Sequence, residues 1–185
     1  MQARIDFPIA SRYILLTMDT IRVTRSYLQL PSLSTLRGVP LADGVRIERA
    51  HPCPIAFFRS LYTEVGREYR WKDRLTWTDA QCAAHLAKSG VSIWVLYADG
   101  APGGYFELNV QSDGSVEIAY FGLMREFIGR GLGKQMLAAA ADRAWSLGAS
   151  RVWLHTCTLD DAAALPNYLA RGFEKYREEE YEVPR

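Results

Sequence analysis

The stretch that decides the fold runs Glu117-Ile-Ala-Tyr-Phe-Gly-Leu-Met-Arg-Glu-Phe-Ile-Gly-Arg-Gly-Leu-Gly-Lys134. From Val116 to Leu123 two sets of side chains alternate, which is typical of a strand with two different faces. Gly129, Gly131 and Gly133 then occupy every second position. Strong helix formers follow them. The pattern predicts a strand, a glycine-rich turn and a helix in immediate succession.

A glycine-rich turn at the start of a helix is suited to binding an anion. The first N–H groups of a helix have no partner within it and lie at the positive end of its dipole, and phosphate is their usual ligand. A Walker loop is excluded, because Ile128 stands where it needs glycine and Gln135 where it needs Ser or Thr. A dinucleotide fingerprint is excluded, because Lys134 stands at its third glycine.

The turn resembles the pyrophosphate-binding signature Gln/Arg-x-x-Gly-x-Gly/Ala of the GNAT superfamily of acyl-CoA-dependent N-acetyltransferases. It matches at Gly131 and Gly133 and departs at the first position, where Ile128 replaces a polar residue. The resemblance implies that backbone amides of this turn bind the pyrophosphate of acetyl-CoA, with Arg130 and Lys134 supplying charge. The implied cofactor-binding residues here are Leu123, Ile128, Gly129, Arg130, Gly131, Leu132, Gly133 and Lys134.

The end of the chain carries a second resemblance to the same superfamily. Its members commonly end their last helix with Tyr-x-x-x-Gly-Phe, which Tyr168, Gly172 and Phe173 match. Asp161 stands where the superfamily commonly has Asn, and it is the implied cofactor contact on this side. The two motifs occur in the expected order, and the resemblance covers about residues 45–182.

The order of the elements predicts the fold class. A strand and two helices precede a three-stranded meander, the glycine turn with its helix, and then a strand, a helix and a final strand. A crossover helix implies one parallel pair of strands. We therefore expect an α/β (α+β) fold with a mixed, mostly antiparallel sheet flanked by helices. The resemblance implies that its central strands splay apart to form the cofactor slot.

The chain of 185 residues divides in this interpretation into two parts. Residues 45–185 form the acetyltransferase-like domain, and residues 1–44 form an N-terminal extension. The extension has strand-like runs at Tyr13–Met18 and Ile21–Leu30 and is predicted to be a hairpin or an arm. A contact in a homodimer is an equally open alternative.

Composition limits the partners and the compartment. A net charge of +1 gives no support to a nucleic-acid footprint. No apolar run approaches the roughly 20 residues of a membrane span. The three cysteines lack disulfide spacing, which favours a reducing cytoplasm. The three histidines, His51, His85 and His155, are unclustered in sequence, so no metal is predicted.

The reaction that the resemblance implies is acyl transfer from a thioester to an amine, which requires a base. Glu117 is the preferred base, because its spacing to Gly131 matches the strand glutamate that serves as base in some superfamily members. Glu107 is the alternative. A two-residue turn at Asp113-Gly114 would pair Glu107 with Tyr120 and place Glu117 on the opposite face of the sheet. A bulge would reverse that placement, so the sequence leaves both glutamates open.

The remaining catalytic roles also follow from the resemblance. Tyr168 is the implied acid that protonates the departing thiolate. The backbone N–H of Leu123 is the implied donor to the carbonyl oxygen that becomes negatively charged. With these groups the acyl chain passes directly to the amine, without an enzyme-bound acyl intermediate.

The segment from Tyr69 to Trp77 is rich in aromatic and charged residues for a connecting loop. Such loops build pocket walls, so we predict that the acceptor is bound here by Trp71, Asp73, Arg74 and Trp77. In the alternative interpretation the tryptophans fill the core and the charges are solvated. The predicted acceptor is a primary amine of a small molecule or peptide. A non-catalytic acyl-CoA-binding module and a nucleotide-binding protein are the competing hypotheses.

Overall fold

The structure is a computed structural model, and it describes residues 19–67, 69 and 71–185. The predicted strand-like run Tyr13–Met18 lies outside these residues. In chain order the elements are β1 (Thr20–Leu30), β2 (Val45–Arg49), α1 (Ile55–Gly66), α2 (Asp79–Leu86), β3 (Val91–Ala98), β4 (Ala101–Val110), β5 (Val116–Leu123), α3 (Leu132–Ser146), β6 (Val152–Cys157), α4 (Ala164–Ala170) and β7 (Glu174–Pro184), with 3-10 turns at Leu33–Thr35 and Arg125–Phe127.

The strands form one sheet in the order β2-β3-β4-β5-β6-β1-β7. β5 and β6 are parallel, and the other neighbouring strands are antiparallel. This confirms the predicted mixed, mostly antiparallel sheet and the parallel pair across the crossover helix. β1, which the sequence assigned to an N-terminal extension, is inserted between β6 and β7, and its Val23, Leu28 and Leu30 are fully buried.

Helices cover both faces of the sheet. α3 packs on one face over a core that includes Phe106, Leu108 and Leu154, and α1 packs with α2 on the other face over Val95 and Tyr105. Each large apolar side chain buried in this way contributes about 1.5–3 kcal/mol. The longest helix among the described residues is α3, with 15 residues, and none of them has the length and apolar character of a membrane span.

The loop between β4 and β5 decides between the alternatives that the sequence left open. Gln111 N donates to Ser115 O, and Gly114 N donates to Gln111 O. The loop therefore has three residues, and Gly114 takes the left-handed φ of +78° that closes such loops. Asp113 and Gly114 lie in this hairpin loop, and the two-residue turn that the sequence analysis considered as one alternative does not form.

A bulge in β5 decides where the two candidate bases lie. The register shifts between Glu107 and Leu108, so that Ala119 is the extra residue on β5. Glu107 pairs with Tyr120, as in the alternative given by the sequence analysis, and Asn109 pairs with Glu117. Paired residues share a face, and so do alternate residues of β4. Glu117 therefore lies on the same face as Glu107, which is the alternative that the sequence analysis linked to a bulge.

The parallel pair β5–β6 is short. Only Val116 with Val152 and Glu117 with Trp153 are paired, although β5 continues to Leu123 and β6 to Cys157. The two strands therefore separate beyond Glu117. This is the splay that the resemblance implied, and it opens a cleft between the carboxyl ends of the two strands.

Two glycines that follow helices provide a matched test of how the segment after β1 packs. Gly172 has φ of +98°, and an added Cβ would collide with the carbonyl oxygen of Thr35. Gly148 has φ of +80°, with no atom within 4 Å of an added Cβ. We expect Gly148→Ala to lower the free energy of unfolding by about 1 kcal/mol through strain alone. Gly172→Ala should cost about 1–3 kcal/mol more, through overpacking. Urea unfolding measures both, and equal losses would contradict this packing.

Candidate active site

A cleft of about 810 Å³ lies where β5 and β6 separate. Its walls come from β5, the turn that starts α3, the end of β6, α4 and the segment between α1 and α2. The predicted site residues that line it are Trp71, Asp73, Arg74, Glu117, Leu123, Ile128, Gly129, Gly131, Leu132, Gly133, Lys134, Asp161 and Tyr168. The predicted residues that lie outside its lining are Glu107, Arg130 and Trp77.

The turn before α3 forms one end of the cleft. Gly131 caps the helix with φ of +73°, and Gly129 has φ of +80°. Gln135 fixes the turn, because its Nε2 donates to Gly131 O at 3.4 Å and its Oε1 accepts from Ala42 N at 2.8 Å. In the described part of the chain, no backbone carbonyl accepts from the N–H groups of residues 129–131. Together with the first N–H groups of α3, these donors can bind an anion.

The charged residues of the turn differ in placement. Arg130 is directed to Asp99, with Nη2 to Oδ2 at 2.6 Å, whereas Lys134 lines the cleft. Asn167 also lines the cleft, and its Nδ2 donates to Gly133 O at 3.4 Å. The sequence prediction missed Asn167, although it directly precedes Tyr168 in the last-helix motif.

Tyr168 belongs to α4, and its side chain lines the cleft on the side of that helix that faces the sheet. Its side chain is buried, and its ring makes edge contacts with Phe121 and Phe173 at centroid distances of 6.1 and 6.2 Å. Burial raises the pKa of Tyr168 well above the ordinary value of 10.0. The phenol therefore stays protonated at neutral pH and can act as a donor.

Glu117 lies at the point where β5 and β6 part. Only 15% of its side chain is exposed. Burial, and then the negative charge of Glu107, raise the pKa of Glu117 above 4.5. Gln111 Nε2 donates to its Oε2 at 3.2 Å, and His155 Nδ1 lies 3.7 Å from its Oε1. The buried Oδ1 of the paired Asn109 has no hydrogen-bond partner among the described residues.

Glu107 is the centre of a buried ion-pair network. Arg74 donates to it in bidentate fashion, from Nη1 to Oε2 at 2.5 Å and from Nη2 to Oε1 at 2.8 Å. His85 Nε2 lies 3.0 Å from Oε1. Burial raises the pKa of Glu107, but the hydrogen bonds from Arg74 and His85 outweigh it, so that the net pKa lies below the ordinary value.

The segment between α1 and α2 forms another wall of the cleft. Trp71 packs edge-on against Tyr120 and Tyr105, at centroid distances of 5.0 and 6.1 Å, and lines the cleft with its remaining surface. Asp73 is exposed and accepts from Tyr120 Oη at 3.4 Å. Trp77 packs behind this wall against the ring of His85, at 5.2 Å. Trp71 therefore both packs in the interior and faces the cleft.

Comparison with known proteins gives one family match. The sequence model of the Acetyltransferase (GNAT) family matches residues 57–173. No curated protein sequence matches the chain. In the described residues, no group of three or more His, Cys, Asp or Glu side chains is placed to hold a metal ion.

Solved structures with the same fold include N-acetyltransferases. A GCN5-related N-acetyltransferase from Kribbella flavida superposes with a TM-score of 0.64 at 19% identity, over 95% of this chain and 63% of that one. One from Sphaerobacter thermophilus gives 0.65 at 15% identity, over 95% and 56%. An aminoglycoside acetyltransferase from an uncultured soil metagenomic sample, in complex with trehalose, gives 0.59 at 16% identity, over 70% and 88%. This chain therefore spans less than two thirds of the first two proteins.

The buried network predicts a pH-dependent stability. The pKa of Glu107 is lower in the folded protein than in the unfolded chain. The ionised Glu107 therefore stabilises the folded state fully above the unfolded pKa, and this stabilisation is lost as pH falls through the folded pKa. Glu107→Gln leaves Arg74 buried without a counter-charge and should cost about 3–5 kcal/mol at pH 7. The difference from wild type should shrink at acidic pH.

Urea unfolding across pH 3–8 measures this difference. The matched control is Glu48→Gln, which breaks the exposed pair of Glu48 with Arg46 and should change stability much less at every pH. If Glu107→Gln lowered the free energy of unfolding as little as Glu48→Gln does, or by the same amount at every pH, the result would be inconsistent with a buried ionised Glu107.

Proposed function

The chain belongs to the acetyltransferase (GNAT) family, and from this membership we propose that it transfers an acetyl group from acetyl-CoA directly to a primary amine of a small molecule or peptide. One observation carries the proposal. The same cleft is lined by the N-terminus of α3, which can bind an anion, by the carboxylate of Glu117 and by the phenol of Tyr168. Anchoring, base and acid are the functions that this reaction needs from the protein.

The fit of the pyrophosphate to the helix start rests on the backbone. Gly129 and Gly131 take left-handed torsions, and nothing lies within 4 Å of an added Cβ at Gly129. The N–H groups of residues 129–131 have no backbone acceptor in the described residues, and Lys134 adds charge. Acetyl-CoA, when bound, supplies the activated thioester. The Leu123 N–H is proposed to donate to its carbonyl oxygen, and Asp161 and Asn167 line the far side of the cleft.

We assign the base to Glu117 rather than Glu107. Glu117 lines the cleft, and its raised pKa gives it more affinity for a proton than an exposed carboxylate has. The oxygens of Glu107 are occupied by Arg74 and His85 in the interior, and its pKa is lowered. Asn109, which pairs with Glu117 and lines the cleft, has an Oδ1 without a partner among the described residues, and this atom is proposed to accept a second N–H of the incoming amine.

Tyr168 is the proposed acid for the departing thiolate. Its high pKa keeps a proton available, and its burial excludes water from around the leaving group. Cys157, which also lines the cleft, has its pKa raised by burial, which disfavours a thiolate nucleophile. Both features support direct transfer over an acyl-enzyme route.

The acceptor is proposed to be a cationic amine. Asp73 offers an exposed carboxylate beside the rings of Trp71 and Tyr120, and carboxylate with aromatic faces is the chemistry that binds ammonium groups. The charge of Arg74 is balanced by Glu107, so Arg74 is proposed to support this wall from within the cleft lining and Trp77 from behind it. One protein with the same fold is an aminoglycoside acetyltransferase, and this supports an amine acceptor. The proposed location is the cytoplasm, and homodimerisation stays a prediction.

A glycine substitution tests the cofactor anchor. Gly131 caps α3 with φ of +73°, and an added Cβ meets only the flexible end of Lys134, at 3.5 Å from its Cε. Gly131→Ala should therefore lower the free energy of unfolding by about 1 kcal/mol through strain. It should also weaken coenzyme A binding about tenfold or more, since the methyl group stands at the turn whose backbone amides are proposed to bind the pyrophosphate.

Thermal shift with CoA, acetyl-CoA, ATP and NAD, followed by titration calorimetry, measures this change. Gly148→Ala at the other end of α3 is the control, and it should lower stability without changing CoA affinity. A wild-type response to ATP or NAD but not to CoA would identify a nucleotide-binding protein instead.

Substitution of the base tests the catalytic assignment. Glu117→Gln should lower kcat about 100-fold or more with little change in acetyl-CoA affinity, because a general base contributes at least that factor. Thiol release with a panel of small amines and peptides measures turnover. Tight CoA binding without thiol release from wild type would favour a non-catalytic CoA-binding module. A Glu117→Gln rate near wild type would reject Glu117 as the base.

A further inference from the structure

His155 and Glu117 face one another across the opening between β5 and β6. His155 lies on β6, two residues beyond the last pair that joins the strands, Glu117 with Trp153. Its Nδ1 is 3.7 Å from Glu117 Oε1, and both side chains line the cleft. The side chain of His155 is 38% exposed, against 15% for Glu117. The imidazole is therefore the more solvent-accessible member of the pair.

The other two histidines have different surroundings. His85 is buried against Glu107, and His51 is exposed outside the cleft. His155 is thus the histidine that can exchange a proton with the cleft. The 3.7 Å separation exceeds a hydrogen bond by about 0.5 Å, so a small side-chain movement or one bridging water completes the contact.

From this geometry we propose that His155 is the proton exit of the active site: it receives from Glu117 the proton that Glu117 takes from the acceptor, and it releases that proton to solvent. The inference rests on the proposed acetyl transfer. His155 does not touch the reacting atoms in this scheme. It acts through Glu117 and is a positioning and relay residue.

The proton count of the reaction requires that one proton reach solvent. Formation of the C–N bond and cleavage of the C–S bond convert an ammonium and a thioester into an amide and a thiol. Two protons leave the nitrogen. One restores Tyr168 after it has protonated the thiolate, and the other must reach solvent. Glu117 is mostly buried, so its proton leaves most directly through the neighbouring imidazole.

Burial, together with the neighbouring charges, shifts the pKa values of His155 and Glu117 toward each other. Partial burial, and then Arg25 on β1, lower the pKa of His155, while Asp160, Glu179 and Asp73 oppose this shift. The ring of Tyr27 on β1 packs against the imidazole at 5.8 Å, and its hydroxyl is committed to Glu179 at 2.7 Å. Burial and Glu107 raise the pKa of Glu117. Converging proton affinities make transfer between the two groups easy.

The first test compares pH–rate profiles of wild type, His155→Gln and the control His51→Gln, with saturating acetyl-CoA and one accepted amine. Activity requires Glu117 ionised and His155 neutral, so log kcat/KM of wild type should fall at acidic pH with a slope approaching two. His155→Gln should show a slope of one and a kcat about tenfold or more below wild type, with both KM values within about threefold. His51→Gln should follow wild type.

Chemical rescue separates a relay from a structural role. His155→Ala should lose kcat to a similar degree as His155→Gln. Added imidazole should restore kcat, because the space that the His155 side chain vacates borders solvent. The rescue should increase with pH as the added imidazole becomes neutral. The proposal would be overturned if His155→Gln had the pH–rate profile and kcat of wild type. It would also be overturned if imidazole did not restore kcat in a folded His155→Ala.

An NMR titration of the His155 ring keeps the proposal testable if either variant fails to fold. The pKa of His155 should be lower in Glu117→Gln than in wild type, because the carboxylate stabilises the imidazolium. An identical pKa in the two proteins would reject the pair. If wild type itself turns over no amine, the proposed function fails, whereas an active wild type with an unchanged His155→Gln removes only the relay.

Discussion

The end of pairing between β5 and β6 is the constraint on which the rest of the structure depends. After two residue pairs the strands diverge, and each leaves backbone groups without a neighbour in the sheet. Buried backbone groups need partners, so an opening of this kind is stable only where water or a ligand can supply them. The cleft follows from it, and so does the position of the glycine turn at the carboxyl end of β5, where α/β sheets bind ligands.

A buried charge network stabilises another wall of the cleft. Arg74 comes from the segment between α1 and α2, and Glu107 comes from β4, so their bidentate pair ties the segment to the sheet. The same network gives different properties to two glutamates on one face of the sheet. The partners of Glu107 lower its pKa. The charge of Glu107 in turn helps to raise the pKa of Glu117, which lines the cleft. Neighbouring carboxylates can serve different purposes when their environments differ in this way.

One extra residue in β5 produces this arrangement. The three-residue hairpin loop shifts the pairing by one position, and the bulge at Ala119 shifts it back before Tyr120. Below the bulge Glu117 joins the face of Glu107, and above it Phe121 and Leu123 still reach the core under α3. A bulge beside a functional site commonly redirects a side chain, and here it is Glu117 that is redirected.

Local sequence determined the elements, their order, the glycine turn and the last-helix motif with Tyr168, because each depends on residues a few positions apart. Only the tertiary structure decided the insertion of β1 beside β6, the bulge at Ala119, the pairing of Arg74 with Glu107 and the approach of His155 to Glu117. These contacts join residues far apart in the chain. Their energies depend on burial and on neighbouring charges, which exist only once the sheet has formed, so no spacing in the sequence can record them.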